Sequence, residues 1–162
     1  MPVTEYKKST FYPYTIHVAS VKNKKDAMAQ FRQKYQKLDG AFITKIDLGS
    51  TGVWYRIDLG EFTTINKATD QMKDLQARGI IDSEAFIGSS VPYTIEIGVY
   101  GDKSTALAAA DKLLGEGIAP YLMKETDTVY RLISGAFPST HSANPALEEL
   151  ISLGLQPKIT KR

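Results

Sequence analysis

The segment GVWYRIDLGEF, residues 52–62, holds the only tryptophan of the chain and alternates between apolar and polar side chains. In a β-strand, successive side chains point to opposite faces. One face of this strand is apolar and should be buried, and it carries Val53, Tyr55, Ile57 and Leu59. The other face carries Trp54, Arg56 and Asp58. The segment therefore predicts a half-buried strand that presents an indole and a guanidinium on its second face.

The composition excludes several classes of protein. The 162 residues are 43% hydrophobic and 23% charged, which is ordinary for one globular domain or two small ones. A net charge of +2 gives no support by itself to nucleic-acid or membrane binding. The chain has no cysteine, so disulfides and thiolate metal sites are impossible. Neither metal-ligand spacing nor a run of about 20 apolar residues is present, so we expect no metal, no cofactor and no membrane span.

An internal repeat organises the chain. Two motifs recur in the same order, PYTI at 13–16 and 92–95 and YR at 55–56 and 130–131. Two copies of one unit therefore fill the sequence. The predicted divisions are an N-terminal extension at 1–12, a first unit at 13–88, a linker at 89–91 and a second unit at 92–162.

The apolar periodicity predicts the order strand, helix, strand, strand, helix, strand in each unit. Predicted helix N-caps are Asn23, Asp102 and either Thr63 or Thr64. Pro145 can lie only in a first turn, so the last helix should start no earlier than about Ser142. The predicted apolar stripe of the third helix is Leu107, Ala110 and Leu114, and residues 85–87 should close the first unit as an edge strand.

This order of elements predicts an α+β fold of two ferredoxin-like, or ribonucleoprotein-like, βαββαβ units. In each unit, two helices cover one face of a four-stranded antiparallel sheet and leave the other face free. Trp54 and Arg56 lie on that helix-free face in the first unit. Exposed aromatic surface in such a place indicates recognition rather than core packing.

Both units carry the same spaced pattern of aromatic, small and aliphatic residues. In the first unit it comprises Tyr14, Ile16, Val18, Ser20, Ala27, Trp54, Tyr55, Arg56, Ile57, Leu59, Gly60, Phe62, Ala68, Leu75 and Gly79. In the second it comprises Tyr93, Ile95, Ile97, Gly98, Ala106, Tyr130, Arg131, Leu132, Gly135, Phe137, Ala143, Leu150 and Gly154. This pattern resembles the SPOR (sporulation-related repeat) family, and the two copies span nearly the whole chain.

The resemblance implies a non-catalytic binding module of the bacterial cell wall. SPOR domains bind peptidoglycan, prefer glycan strands from which amidases have removed the stem peptides, and collect at division septa. The expected partners are therefore peptidoglycan glycan strands, together with envelope or division proteins. The expected location is the periplasm or cell envelope, with any signal or anchor outside this chain.

The resemblance also places the polar positions of the family's glycan groove on four residues of the first unit. These are His17, where a glutamine is usual, Ser20, Trp54 and Arg56. Strand alternation puts His17 on the same face as Trp54. Ser20 does not follow from alternation and needs a β-bulge or a strand end to reach that face.

The chemistry of these side chains suits a peptide-free glycan. Removal of the stem peptide exposes the lactyl carboxylate of muramic acid, which Arg56 can bind with two charge-assisted hydrogen bonds. Trp54 offers a flat apolar surface to a sugar ring. Arg131, the equivalent arginine of the second unit, is a secondary candidate, because Glu96 replaces His17 there and would repel an anionic sugar. The first unit is therefore expected to carry most of the affinity.

Other functions stay open at this point. The faces of the two units also suit a protein-interaction scaffold in an envelope complex. A ribonucleoprotein-like sheet with an exposed aromatic also suits single-stranded RNA, but a single aromatic side chain and a low net charge argue against nucleic acid. Arg56 and Arg131 are, on a plainer interpretation, salt-bridge partners within the sheet.

Overall fold

The computed structural model describes residues 6–8 and 10–162. The predicted N-terminal extension at 1–12 therefore lies partly outside the described residues. The first repeat contains β1 (Tyr14–Val21), α1 (Lys24–Gln30), β2 (Ala41–Asp47), β3 (Val53–Phe62) and α2 (Ile65–Ala77). The second contains β4 (Tyr93–Tyr100), α3 (Lys103–Gly115), β5 (Tyr121–Thr126), β6 (Val129–Phe137), α4 (Asn144–Ser152) and β7 (Lys158–Lys161).

Three short helical turns extend this plan. A π-helical turn at Phe31–Tyr35 continues α1, and a 3₁₀ turn at Gly49–Thr51 lies between β2 and β3. A 3₁₀ turn at His141–Ala143 precedes α4. A membrane-crossing helix is absent from the part of the chain that the structure describes.

The strands form two antiparallel sheets, with the orders β1-β3-β2 and β5-β6-β4-β7. The predicted α+β fold of two βαββαβ units is confirmed. The first unit differs in one respect, because its closing strand at 85–87 is reduced to a single bridge between His17 and Phe86. Backbone hydrogen bonds of 2.8 and 3.0 Å join these two residues in both directions.

The helix starts follow the predicted capping chemistry. Asn23, Thr64 and Asp102 each accept a hydrogen bond from the backbone N–H three residues further on, which satisfies a donor that the helix leaves unpaired. Thr64, and not Thr63, is therefore the second cap. Helix α4 begins at Asn144 and holds Pro145 in its first turn, as predicted.

Helix α3 packs with a different face from the one predicted. Ala106 and Leu113 are buried, whereas Leu107 is 44% exposed. Apolar residues fill all positions from 106 to 110, so the periodicity fits more than one helix face. The predicted stripe was therefore wrong by one position at Leu107.

The two repeats pack against each other through their sheets. Phe42 on the helix-free face of β2 lies against Tyr121 of β5, with ring centroids 5.3 Å apart. The cluster between the repeats contains Phe42, Val91, Tyr121, Met123, Ile133 and Ala136. The helix-free face of the second repeat is therefore largely buried.

Ion pairs join the repeats beside this cluster. Glu149 of α4 accepts hydrogen bonds from Lys45 Nζ at 2.8 Å and from Lys24 Nζ at 3.2 Å. Burial raises the pKa of Glu149, but the two lysines outweigh burial and hold it below its ordinary value. The carboxylate is therefore charged at neutral pH and links α1 and β2 to α4.

A glycine two residues before an aromatic ring explains why Gly-x-Phe recurs in both repeats. Gly60 has φ +85° and Gly135 has φ +75°, a region that side chains with a Cβ rarely adopt. A Cβ on Gly60 would lie 2.5 Å from the Phe62 ring, and one on Gly135 would lie 2.6 Å from the Phe137 ring. Each glycine therefore permits the backbone turn and leaves room for the phenylalanine ring two residues further on.

Gly60→Ala should destabilise the protein more than Gly49→Ala does. Gly49 also has a positive φ, +68°, but a Cβ there would meet nothing within 4 Å. We expect Gly49→Ala to lower the free energy of unfolding by about 1–2 kcal/mol from backbone strain alone. Gly60→Ala should lower it by about 3 kcal/mol or more, because the Phe62 ring must also move. Urea unfolding measures both values, and equal losses would contradict the role assigned to the ring.

Candidate functional site

A β-bulge in β1 brings Ser20 to the helix-free face. The pairing of β1 with β3 shifts between His17 and Ala19, which leaves Val18 as an extra residue. Val18 and Ala19 both pack toward the helices, and Ser20 then faces away from them, opposite Arg56. The bulge that Ser20 requires is therefore present. Strand β4 has a register shift at the equivalent position.

Asp58 is the buried centre of this face, with 0% exposure. Its carboxylate accepts hydrogen bonds from His17 Nδ1 at 2.6 Å, from Thr44 Oγ1 at 3.0 Å, and from Arg56 Nε at 2.9 and 3.0 Å. Burial raises the pKa of Asp58, but the Arg56 charge and the His17 hydrogen bond outweigh burial and hold it below its ordinary value. Asp58 is therefore an ionised carboxylate that binds side chains from three strands.

Arg56 is held by both repeats. Its Nε donates to Asp58, and its Nη2 donates to the backbone carbonyl of Ala136 in the second repeat at 2.6 Å. Its Nη1 has no hydrogen-bond partner among residues 6–8 and 10–162, and the side chain is 12% exposed. Arg56 therefore offers a ligand one nitrogen without a partner in the described part of the chain, Nη1. The sequence interpretation expected two charge-assisted hydrogen bonds from Arg56 to the ligand carboxylate.

Trp54 and Ser20 lie nearer to solvent. The Trp54 side chain is half-buried, and its Nε1 donates to the Thr51 carbonyl at 3.2 Å. Lys22 Nζ lies 5.9 Å from the centre of the indole, within the range of a weak cation–π contact. Ser20 is exposed. These side chains supply an apolar plane and a hydroxyl on the same sheet face as Arg56.

Phe86 is a further aromatic residue of this face that the sequence interpretation missed. It is the bridge partner of His17, it is 57% exposed, and its ring centroid lies 5.1 Å from that of His17. Alternation within the predicted strand at 85–87 places Phe86 on the face opposite to its apolar neighbours Ala85 and Ile87, and this was the signal available in the sequence. We call Ser20, Trp54, Arg56 and Phe86 the first-repeat face, and His17 is buried beside it.

The equivalent face of the second repeat is closed. Arg131 is 1% exposed, and its Nη1 donates to the Thr160 hydroxyl at 3.0 Å and to the Lys161 carbonyl at 2.8 Å. Its Nε lies 3.0 Å from the Glu125 carboxylate. Residues of the N-terminal segment contribute to this cluster, since Lys8 Nζ lies 2.9 Å from the same carboxylate. Arg131 is thus buried in an ion pair and is inaccessible to a ligand.

Asp58→Asn should destabilise the protein in a pH-dependent way. The pKa of Asp58 is lower in the folded protein than its ordinary value of 3.8, so its stabilising contribution is fully present above about pH 4 and is lost as pH falls further. We expect the variant to lose about 3 kcal/mol of unfolding free energy at pH 7, which is the low end of the range for removing one partner of a buried ion pair. The difference from the wild type should shrink below about pH 3.8. Urea unfolding across this pH range provides the measurement.

Asp74→Asn is a matched control for this experiment. Asp74 pairs with Arg78 at 3.2 Å, but both side chains are more than half exposed. Exposed pairs of this kind contribute about 0.5 kcal/mol or less. A loss in Asp58→Asn that is as small as the loss in Asp74→Asn would contradict the central role of the buried carboxylate.

One family model matches the chain twice, after the pattern of the two repeats. The SPOR domain model covers residues 11–85 and again residues 89–161. No curated protein and no solved structure matches the chain. The two matches together leave only the ends and a short junction of the chain uncovered. The chain therefore belongs to the SPOR domain family, as a tandem pair of SPOR domains.

Proposed function

We propose that this chain is a non-catalytic cell-wall module that binds peptide-free peptidoglycan glycan strands on its first-repeat face. Membership of the SPOR family makes it a peptidoglycan-binding module in the coarse sense. The observation that supports the finer proposal is the grouping of two partly exposed aromatic rings, a hydroxyl and one unoccupied arginine nitrogen on one sheet face. From the predicted glycan-binding set, Ser20, Trp54 and Arg56 are retained as ligand contacts and Phe86 is added, whereas His17 is assigned the role of holding Asp58.

The aromatic residues suit the apolar faces of sugar rings. Trp54 and Phe86 lie on the same side of the first sheet as Arg56, with Trp54 on the central strand β3 and Phe86 at the sheet edge beside β1. A strand of linked pyranoses can therefore run from β3 across β1 and contact both rings. Indole and phenyl planes gain free energy from burying the C–H face of a pyranose.

Arg56 suits the acid group that appears when the stem peptide is removed. Its Nη1 can donate a charge-assisted hydrogen bond to the lactyl carboxylate. Its Nε and Nη2 are already hydrogen-bonded within the protein, so the side chain loses little conformational freedom when the ligand binds. The hydroxyl of Ser20, across from Arg56, is available for a neutral hydrogen bond to the sugar.

The second repeat is assigned a supporting role. Its equivalent face is covered by the first repeat and by the N-terminal segment, and Arg131 and Glu96 are both buried there. From the family, we propose that the chain acts in the periplasm or cell envelope, where peptide-free strands at division sites would recruit it. Envelope or division proteins remain proposed partners of its other surfaces.

Trp54→Ala is the sharpest test of this function, because Trp54 takes no part in the Asp58 network and its loss should leave the fold intact. Purified sacculi should retain the wild-type protein more strongly after amidase digestion. Trp54→Ala should weaken this retention by about tenfold or more, which corresponds to about 1.4 kcal/mol. Co-sedimentation at a series of protein concentrations gives the apparent Kd.

Phe11→Ala provides the control, since it removes another aromatic ring that is 50% exposed but lies outside the first-repeat face. It should bind as the wild type does. Retention that amidase digestion leaves unchanged, or that Trp54→Ala leaves unchanged, would contradict the proposal. A labelled single-stranded RNA should not compete, and effective competition would favour nucleic-acid binding instead.

A further inference from the structure

The backbone of one residue in the second repeat closes the hydrogen-bond network of the first. Ala136 N–H donates to Thr44 Oγ1 at 3.0 Å, and the Ala136 carbonyl accepts from Arg56 Nη2 at 2.6 Å. Thr44 in turn donates to Asp58 at 3.0 Å, and Asp58 accepts from Arg56. Four groups therefore form a closed ring in which every member is fixed by two others.

The local structure of β6 permits this approach. Gly135 turns the strand with φ +75°, and a Cβ there would lie 3.3 Å from Thr44 Cγ2. Ala136 is 0% exposed, and it corresponds to Glu61 in the first repeat, where a longer side chain stands after the equivalent glycine. A glycine followed by a small residue thus lets the β6 backbone reach Arg56 and Thr44 directly.

This closed hydrogen-bond network determines which nitrogen of Arg56 a ligand can contact. Nε and one N–H of Nη2 have partners in the protein, and Nη1 is the nitrogen without a partner among the described residues. The Asp58 carboxylate also offsets the arginine charge at a distance of 2.9 Å. The position and the effective charge of Arg56 therefore depend on Thr44, on Asp58 and on the second repeat together.

We infer that the second repeat is part of the binding site on the first: the Ala136 backbone, with Thr44 and Asp58 as positioning residues, fixes Arg56 so that Nη1 meets the carboxylate of a peptide-free glycan. This inference rests on the proposed function. It adds that the two repeats bind as one unit and that the carboxylate preference is set by residues that never touch the ligand.

The test compares two ligands, peptide-free glycan strands and the same strands with the lactyl carboxylate reduced to an alcohol. Thr44→Val removes the hydroxyl that joins Asp58 to Ala136 and keeps the shape of the side chain. It should weaken binding of the carboxylate strand by about tenfold, because Arg56 loses its fixed position, and leave binding of the reduced strand unchanged. Thr44→Ser keeps the hydroxyl and should restore the wild-type value.

Thr15→Val is the matched control. Thr15 is a buried threonine of the same repeat, and its hydroxyl donates to the Leu59 carbonyl at 2.8 Å, a bond outside the network of Arg56 and Asp58. It should change neither affinity. Urea unfolding of the same variants separates loss of folded protein from loss of positioning.

Asp58→Asn provides a second variant with an effect of the same sign. Loss of the carboxylate that holds Arg56 Nε should lower the preference for the carboxylate strand over the reduced strand by about threefold or more. Equal weakening of both strands by Thr44→Val, or an unchanged preference in both variants, would overturn the inference. Failure of the wild-type protein to bind either strand would instead overturn the proposed function.

Discussion

The carboxylate of Asp58 lies on the helix-free face of the first sheet without contact with water, and the surrounding residues are arranged to stabilise its charge. An ionised carboxylate in such a place costs several kcal/mol unless donors surround it. His17 from β1, Thr44 from β2 and Arg56 from β3 supply those donors. One buried charge therefore fixes the relative positions of three strands, and with them the orientation of the residues proposed to bind glycan.

The two repeats differ in how their helix-free faces are used. A sheet with helices on only one face leaves its other face for burial or for binding. In the second repeat that face is buried against Phe42 and against Tyr12 of the N-terminal extension. Arg131 forms an ion pair with Glu125 in the same repeat. In the first repeat part of the face stays open. Packing of the second repeat's face thus stabilises the pair of small domains. The β6 backbone of the second repeat also accepts a hydrogen bond from Arg56 of the first.

Local patterns predicted the elements, because capping, alternation and repeat spacing act over a few residues. Asn23, Asp102 and Pro145 illustrate this. A bulge or strand end before Ser20 was expected only because the family resemblance places Ser20 on the helix-free face, and the structure has the bulge at Val18. The burial of Arg56 could not be predicted, because its contact with Ala136 depends on how the repeats pack. Strand alternation likewise predicted that Asp58 lies on the face exposed to water. Alternation identifies a face but does not show what covers it.

An NMR titration of the full chain with peptide-free glycan fragments measures most directly whether the first-repeat face, with its arginine held by both repeats, is the binding surface. The largest chemical-shift changes should fall on the Trp54 indole N–H and on the backbone amides of Ser20 and Phe86. The Arg56 Nε–H signal should remain protected from exchange, because its bond to Asp58 persists in the complex. Largest changes around Arg131 and Met123, or loss of Arg56 Nε–H protection on binding, would contradict this assignment.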